Sequence, residues 1–152
     1  MWSHYATSHT GAVFKLNAID ELDIPLLIAK KVTYSRVYPL LATEEELVDH
    51  LLYVHRIDFA KRERDLLLVK GDDWSYENEW RVTITDETYP LGGVTDFREP
   101  PDVFGAIFLG CRMPPKDEEE IIELADRSLP KMEVWKAVQD QKAYKIEFQR
   151  LK

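Results

Sequence analysis

Cysteine is almost absent from this chain, since Cys111 is the only one among 152 residues. No intramolecular disulfide can form and no cluster of thiolates can hold zinc, so we expect a protein of the reducing cytoplasm. An apolar run of about 18 residues is also missing, and the N-terminal residues lack the basic and apolar regions of a secretory signal. These absences argue against an exported, disulfide-bonded or membrane-spanning protein.

Positive charge is also scarce, because 20 Lys and Arg residues face 28 Asp and Glu residues and leave a net charge of −8. A chain without a basic field is not expected to bind nucleic acid non-specifically or to bind an anionic membrane. The 45% of hydrophobic and 11% of aromatic residues are typical of a globular protein. The length predicts a single domain over residues 1–152.

Hydrophobic periodicity predicts the helices and strands. The capping box Thr43-x-x-Glu46 begins one helix. That helix, or a second one after a bend, is expected to continue through Phe59 and the mixed-charge residues until it ends at Gly71. Asp117 to Leu129 is the other clear helix, with acidic residues at its start. Apolar or alternating segments predict strands over Ala12 to Asn17, Lys30 to Val37, Trp74 to Thr85 and Val103 to Leu109, with a C-terminal hairpin of Glu133 to Val138 and Ala143 to Phe148. This order favours an α+β fold with a mixed sheet of about six strands and two or three helices.

The segment from Trp74 to Thr85 alternates with a period of two and is expected to place Glu77, Glu79 and Arg81 on one polar face. The opposite, buried face would hold Trp74, Tyr76, Trp80, Val82 and Ile84. Two carboxylates beside a guanidinium could bind a ribose or a phosphate, with Arg81 as the anion clamp. The alternative is an exposed strand face on which Arg81 only neutralises the two glutamates.

Three stretches together resemble a prokaryotic family, the domain of unknown function 2971 (DUF2971). They are Trp2-Ser3-His4-Tyr5-Ala6 with His9 and Gly11, Lys70 with Trp74-x-Tyr76-Glu77-x-Glu79-x-Arg81, and the strand that ends Ile107-Phe108-Leu109-Gly110. The resemblance implies no established reaction. It also implies a segment upstream of the first stretch, so we expect Trp2 or the first strand to be covered by a homodimer or by a separate chain that supplies this part.

A histidine–tyrosine stretch followed by a later Glu-x-Glu is similar to the layout of ADP-ribosyltransferases. That similarity implies a pocket for a nucleotide or NAD, in which a fixed carboxylate stabilises the positive charge that forms as nicotinamide leaves. Glu79, Glu77 and His4 are the candidate catalytic residues; Tyr5, His9, Tyr34 and Arg81 are the candidate ligand-binding residues. The sequence identifies no cofactor.

Other chemistries have less support. The pairs His4/His9 and His50/His55 are each spaced by five, which places the two side chains about 140° apart on a helix, so we predict no metal site. The alternative is a site formed by convergence of His4 and His9 with Glu77 or Glu79 in space. Cys111 follows an apolar strand and is expected to be inert. Gly-x-Ser-x-Gly, Walker A and Gly-x-Gly-x-x-Gly motifs are absent. The rival hypothesis is a non-catalytic interaction or regulatory domain, which would bind through the acidic helix from Asp117 or the loop from Thr88 to Pro101.

Overall fold

A computed structural model describes residues 2, 4–22, 24–83 and 98–152 of the chain. The chain divides into two compact units, which are described separately below. The terminal unit combines Met1–Ile24 with Val94–Lys152, and the central unit is Pro25–Gly93. Strands and helices mix without regular alternation, so the α+β prediction is confirmed. The single-domain boundary of 1–152 stays a prediction.

The described residues contain eight strands, three α-helices and three short 3-10 helices. The strands are β1 (Ala12–Leu16), β2 (Lys30–Lys31), β3 (Thr33–Ser35), β4 (Val69–Gly71), β5 (Trp80–Arg81), β6 (Phe104–Leu109), β7 (Glu133–Gln139) and β8 (Ile146–Arg150). The α-helices are α1 (Glu44–Leu51), α2 (Phe59–Leu66) and α3 (Pro115–Ser128). The 3-10 helices are Pro25–Ile28, Asp72–Glu77 and Pro101–Val103.

The terminal unit is built on a mixed four-stranded sheet with the order β1-β6-β7-β8. β6 pairs antiparallel with β1 and parallel with β7, and β8 pairs antiparallel with β7. β6 is apolar along its whole length because it lies between two strands and faces the core. The predicted first strand, apolar strand and C-terminal hairpin are therefore confirmed, with small shifts at their ends.

Helix α3 connects β6 to β7 and packs on the sheet through its apolar side. Pro115 occupies its first turn, where the missing N–H costs no hydrogen bond, and Asp117 and Glu118 lie at its positive end. The buried core of this unit consists of Ile107, Leu109, Met113, Ala125, Met132 and Val134. This core includes Leu109, the last residue of β6, which is followed by Gly110.

In the central unit, α1 begins at the predicted capping box. Thr43 Oγ1 accepts the Glu46 N–H at 3.2 Å, and a Glu46 carboxylate oxygen accepts the Thr43 N–H at 2.8 Å. The second helical segment differs from the prediction, because α2 ends at Leu66 and does not continue to Gly71. Val69–Gly71 instead forms β4, which pairs parallel with β3.

The predicted strand from Trp74 to Thr85 is wrong for most of its described length. Asp72–Glu77 is a 3-10 helix, Asn78 has a left-handed φ of 47°, and only Trp80–Arg81 is a strand. The acidic pair Asp72 and Asp73 suits a helical N-terminus, and asparagine tolerates a left-handed backbone, so the extended chain is interrupted twice.

The burial predicted for this segment is wrong as well. Trp80 is 62% exposed and Tyr76 57% exposed, while Trp74 is 39% exposed. Val82 is partly buried, and Ile84 lies outside the described residues. Because most of the Trp80 side chain is exposed, Trp80→Ala should cost less stability than the loss of a buried aromatic ring.

The predicted strand from Lys30 to Val37 is divided between two sheets. Residues Lys30–Lys31 pair antiparallel with β5, whereas Thr33–Ser35 pair parallel with β4. Val32, between them, is 2% exposed and donates its N–H to the Glu79 carbonyl at 2.9 Å. β4 and β5 therefore both pair with the short segment of residues 30–35.

At the sheet margin of the terminal unit, Trp2 lies 6.2 Å from the ring of His9 and 6.2 Å from that of Phe148, measured between centroids. The predicted self-association stays a prediction. Among the described residues, none of the helices combines the length and the apolar character needed to cross a bilayer.

Candidate functional site

Four charged side chains form one ion-paired cluster in the central unit. Lys70 Nζ contacts a carboxylate oxygen of Glu77 and lies 3.0 Å from Glu79 Oε2. Arg81 Nε donates to Glu79 Oε1 at 2.6 Å and a terminal nitrogen of the same guanidinium donates to Oε2 at 3.1 Å. The Glu79 carboxylate is therefore paired with both cations, Lys70 and Arg81. We call these four residues the charged cluster.

The backbone holds Glu79 in place on two sides. Tyr34 lies opposite Lys70 in the parallel pairing of β3 and β4. The Tyr34 hydroxyl accepts the Glu79 N–H at 2.8 Å, and the Glu79 carbonyl accepts the Val32 N–H at 2.9 Å. The carboxylate at the centre of the cluster thus projects from a fixed main chain.

The turn at Asn78 explains why Glu77 and Glu79 both reach Lys70. Glu77 ends the 3-10 helix, Asn78 turns the chain with its left-handed φ, and Glu79 leads into β5. Lys70 Nζ also lies 5.0 Å from the centroid of the Trp74 ring, a cation–π geometry. The ammonium is therefore held between an aromatic face and two carboxylates.

The charged cluster is partly shielded from solvent. The exposed fraction of the side chain is 9% for Glu77 and 20% for Lys70, and it rises to 28% for Glu79 and 30% for Arg81. Arg81 hydrogen bonding, followed by that of Lys70, lowers the pKa of Glu79 to about 2. The hydrogen bonds that Lys70 donates to Glu77 and Glu79 raise the pKa of its ammonium above its usual value. At neutral pH Glu79 is ionised and Lys70 protonated, so Glu79 can act electrostatically but not as a general acid.

The depressed pKa of Glu79 predicts a loss of stability in acid. Because the folded pKa of about 2 lies below the ordinary 4.5, the stabilisation is complete above pH 4.5 and disappears as the pH falls towards 2. Denaturant unfolding between pH 4.5 and pH 2 should show that the free energy of unfolding falls more steeply with decreasing pH in the native chain than in Glu79→Gln. Glu46, whose pKa is also about 2, contributes equally to both proteins. Equal slopes would contradict the ion-paired state of Glu79.

A cavity of about 540 Å³ adjoins the charged cluster within the central unit. Its wall includes Lys70 together with Ser35, Arg36 and Tyr38. Arg36 is highly exposed and pairs with Asp72 at 3.0 Å. The volume lies within the range of about 300–1,000 Å³ that small-molecule sites occupy.

The structure brings together four of the seven residues predicted as site residues. Tyr34, Glu77, Glu79 and Arg81 meet in the central unit, although Glu77 lies on a 3-10 helix rather than on the predicted strand. His4, Tyr5 and His9 belong to the terminal unit, where His4 and Tyr5 are exposed and His9 is half-buried. Their assigned roles stay predictions.

Two details were not foreseen. Arg81, the predicted anion clamp, uses three of its N–H groups on Glu79 and on the Leu67 carbonyl, which leaves it fewer donors for a ligand. Lys70 was not among the predicted site residues, yet it contacts both glutamates and the cavity. Its place in the stretch that leads to Trp74-x-Tyr76-Glu77 was the signal that could have identified it.

The charged cluster lies within the part of the chain that matches a known protein family. The sequence model of a family described as "Protein of unknown function (DUF2971)" matches residues 1–82, which is more than half of the 152 residues. The chain belongs to the DUF2971 family. Two of the three stretches that carry the resemblance, including Lys70 to Arg81, lie inside the matched residues, whereas Ile107 to Gly110 lies beyond them.

No curated protein and no solved structure matches the chain. In the part of the chain that the structure describes, no group of three or more His, Cys, Asp or Glu side chains is placed to hold a metal ion.

Proposed function

We propose that this DUF2971 protein binds a nucleotide-like small molecule in the cavity beside Lys70. The observation that carries the proposal is that Lys70 belongs both to the charged cluster and to the cavity wall. A shielded ion-paired cluster at the edge of a cavity of ligand size is a common property of binding and catalytic sites.

The chemistry of the wall suits a nucleotide. Arg36 and Lys70 are two cations on the same cavity, and charge-assisted hydrogen bonds from such groups are strong phosphate contacts. Tyr38 is 86% exposed on the same wall and offers an aromatic face to a base. The remaining wall is largely apolar, with Val37, Leu41 and Val69 among its residues.

Glu79 would serve an NAD-handling enzyme as a fixed anion. When nicotinamide leaves NAD with the bonding electron pair, positive charge develops on the ribose. A carboxylate that stays ionised and is held by two cations and by Tyr34 could accept a ribose hydroxyl and stabilise that charge without reorganising. The single cysteine of the chain suits the reducing cytoplasm as the compartment.

Thermal melts against ATP, ADP, NAD and divalent metal ions test the proposal. At a ligand concentration 100 times its dissociation constant, the free energy of unfolding should rise by about 2.7 kcal/mol. Glu79→Gln should lose the response, because Glu79 holds Lys70, which lines the cavity. Glu45→Gln, an exposed change on α1 of the same unit, is the matched control and should respond as the native chain does.

The outcome of the panel separates the two hypotheses. A rise with a nucleotide or NAD that Glu79→Gln abolishes supports ligand binding at the charged cluster. A panel without any response would overturn the proposal and favour the non-catalytic interaction domain. A response that Glu79→Gln leaves intact would also overturn the proposal.

A further inference from the structure

We infer that the terminal unit carries a second site, which binds the phosphate group of a small ligand or free phosphate. The site is a cavity of about 230 Å³ whose wall includes His9, Arg112, Gln139 and Lys145, with Cys111 beside them. It lies in the terminal unit and shares no residue with the cavity beside Lys70.

The wall of this cavity has the charge that an anion requires. Arg112 and Lys145 are cationic, and none of the described residues that line the cavity is an aspartate or a glutamate. The chain as a whole carries a net charge of −8, so a cavity whose described wall consists of cations and neutral groups differs from the chain's average. Lys145 is paired with Glu147 at 3.0 Å, whereas Arg112 has no ion-pair partner among the described residues.

An unusual stretch of backbone places His9 against Arg112. Thr7, Ser8 and His9 all have left-handed φ values, of 46°, 53° and 71°, which non-glycine residues rarely adopt. The His9 carbonyl accepts the Arg112 N–H at 2.9 Å, and the His9 N–H donates to the Trp2 carbonyl at 3.2 Å. These bonds hold the histidine at the cavity wall.

The surroundings of the His9 imidazole favour the tautomer that carries its proton on Nε2. His9 Nδ1 is shielded from solvent and has no hydrogen-bond partner among the described residues, and the ring is stacked on Trp2 with an angle of 5° between the planes. A proton on Nδ1 would be buried without an acceptor, so the tautomer with its proton on Nε2 is favoured. With its proton on Nε2, His9 would offer an N–H to an oxyanion in the cavity that it lines.

The size of the cavity limits the ligand. Its volume of about 230 Å³ is below the range that whole drug-sized ligands occupy. A phosphate group fits this size and can accept hydrogen bonds from a guanidinium, an ammonium, an imidazole and an amide together. Free phosphate and the phosphate of a small monoester share this chemistry, and the test below distinguishes them.

Cys111 provides the measurement, because it is the only cysteine of the chain and lines the cavity. The rate at which iodoacetamide, a neutral reagent, alkylates Cys111 should fall as inorganic phosphate is added at constant ionic strength. Sodium chloride at the same ionic strength should not slow the reaction. Arg112→Gln should raise the half-protecting phosphate concentration about tenfold or more, since it removes a charge-assisted contact.

Arg127→Gln, an exposed arginine at the end of α3, is the control and should be protected like the native chain. Because Arg112 is itself exposed, its replacement should leave the fold intact; Lys145→Gln is the second variant and should also weaken protection. Glycerol 3-phosphate serves as the monoester, and protection by it at lower concentration than by phosphate identifies a phosphorylated ligand. Absence of protection by both compounds, or equal protection of Arg112→Gln, would overturn the inference.

Discussion

Replacing Gly110 by alanine should lower the free energy of unfolding by about 3 kcal/mol or more, because the new methyl group has no space. A Cβ at this position would overlap the carbonyl of His9, and it would lie 2.8 Å from the Gly11 oxygen. Both neighbours are main-chain atoms. The Gly110 N–H donates to that same Gly11 oxygen at 2.9 Å, so relief of the overlap would break a hydrogen bond. Equilibrium unfolding in urea measures the loss.

Gly71→Ala is the matched control for this change. Its added Cβ would meet only Trp74 Cδ1 at 3.8 Å, an ordinary contact, and its φ of −58° suits any residue. The free energy of unfolding should therefore change by less than about 1 kcal/mol. A Gly110→Ala protein as stable as Gly71→Ala would mean that His9 does not lie against Gly110, and the phosphate site would lose its geometry.

Replacing Lys70 by methionine should lower the melting temperature by several degrees at pH 7. Methionine keeps much of the apolar stem but removes the ammonium that contacts Glu77 and Glu79. The two carboxylates would then lie close together with the Arg81 guanidinium, bound to Glu79, as the one remaining cation of the charged cluster, which is a costly arrangement. Melts at several pH values should show the deficit shrinking between pH 7 and pH 4, as the carboxylates of the variant become protonated.

Lys31→Met, on β2 of the same unit, is the control for the loss of one positive charge. Lys31 is exposed, so its replacement should leave the melting temperature nearly unchanged at both pH values. A deficit of Lys70→Met that stays constant with pH would show that lost packing, rather than unbalanced carboxylates, causes it.

The features that the sequence predicted well have causes within a few neighbouring residues. The capping box at Thr43 needs only residues three apart, and both of its hydrogen bonds are present. The strand from Phe104 to Leu109 is apolar without interruption, and the helix that follows begins at a proline. For such segments, local chemistry and tertiary environment favour the same structure.

The segment around Trp80 was predicted wrongly because its alternation has another origin. The pattern of aromatic and charged residues spans a 3-10 helix, a left-handed turn and a two-residue strand, each of which shifts the direction of the side chains. Periodicity alone does not reveal such breaks. Glu79 and Arg81 nevertheless come together, although Lys70 rather than a shared strand face brings Glu77 to them.

Lys70 illustrates what spacing cannot show. It precedes Glu79 by nine residues and reaches it through the parallel pairing of β3 with β4, a contact that depends on Tyr34 far earlier in the chain. The sequence contained the lysine in a stretch shared with the family, but only the fold shows that it joins the glutamates to the cavity.

Calorimetric titration of ATP and NAD into the native chain and into Arg36→Gln tests the central claim most directly. Arg36 is exposed and its ion pair with Asp72 contributes little to stability, so the variant should fold like the native chain. We expect at least one of the two ligands to bind the native chain. Its affinity should be about tenfold or more weaker in Arg36→Gln, because a phosphate contact is lost. No heat of binding with either ligand, or equal affinity in the two proteins, would contradict the claim.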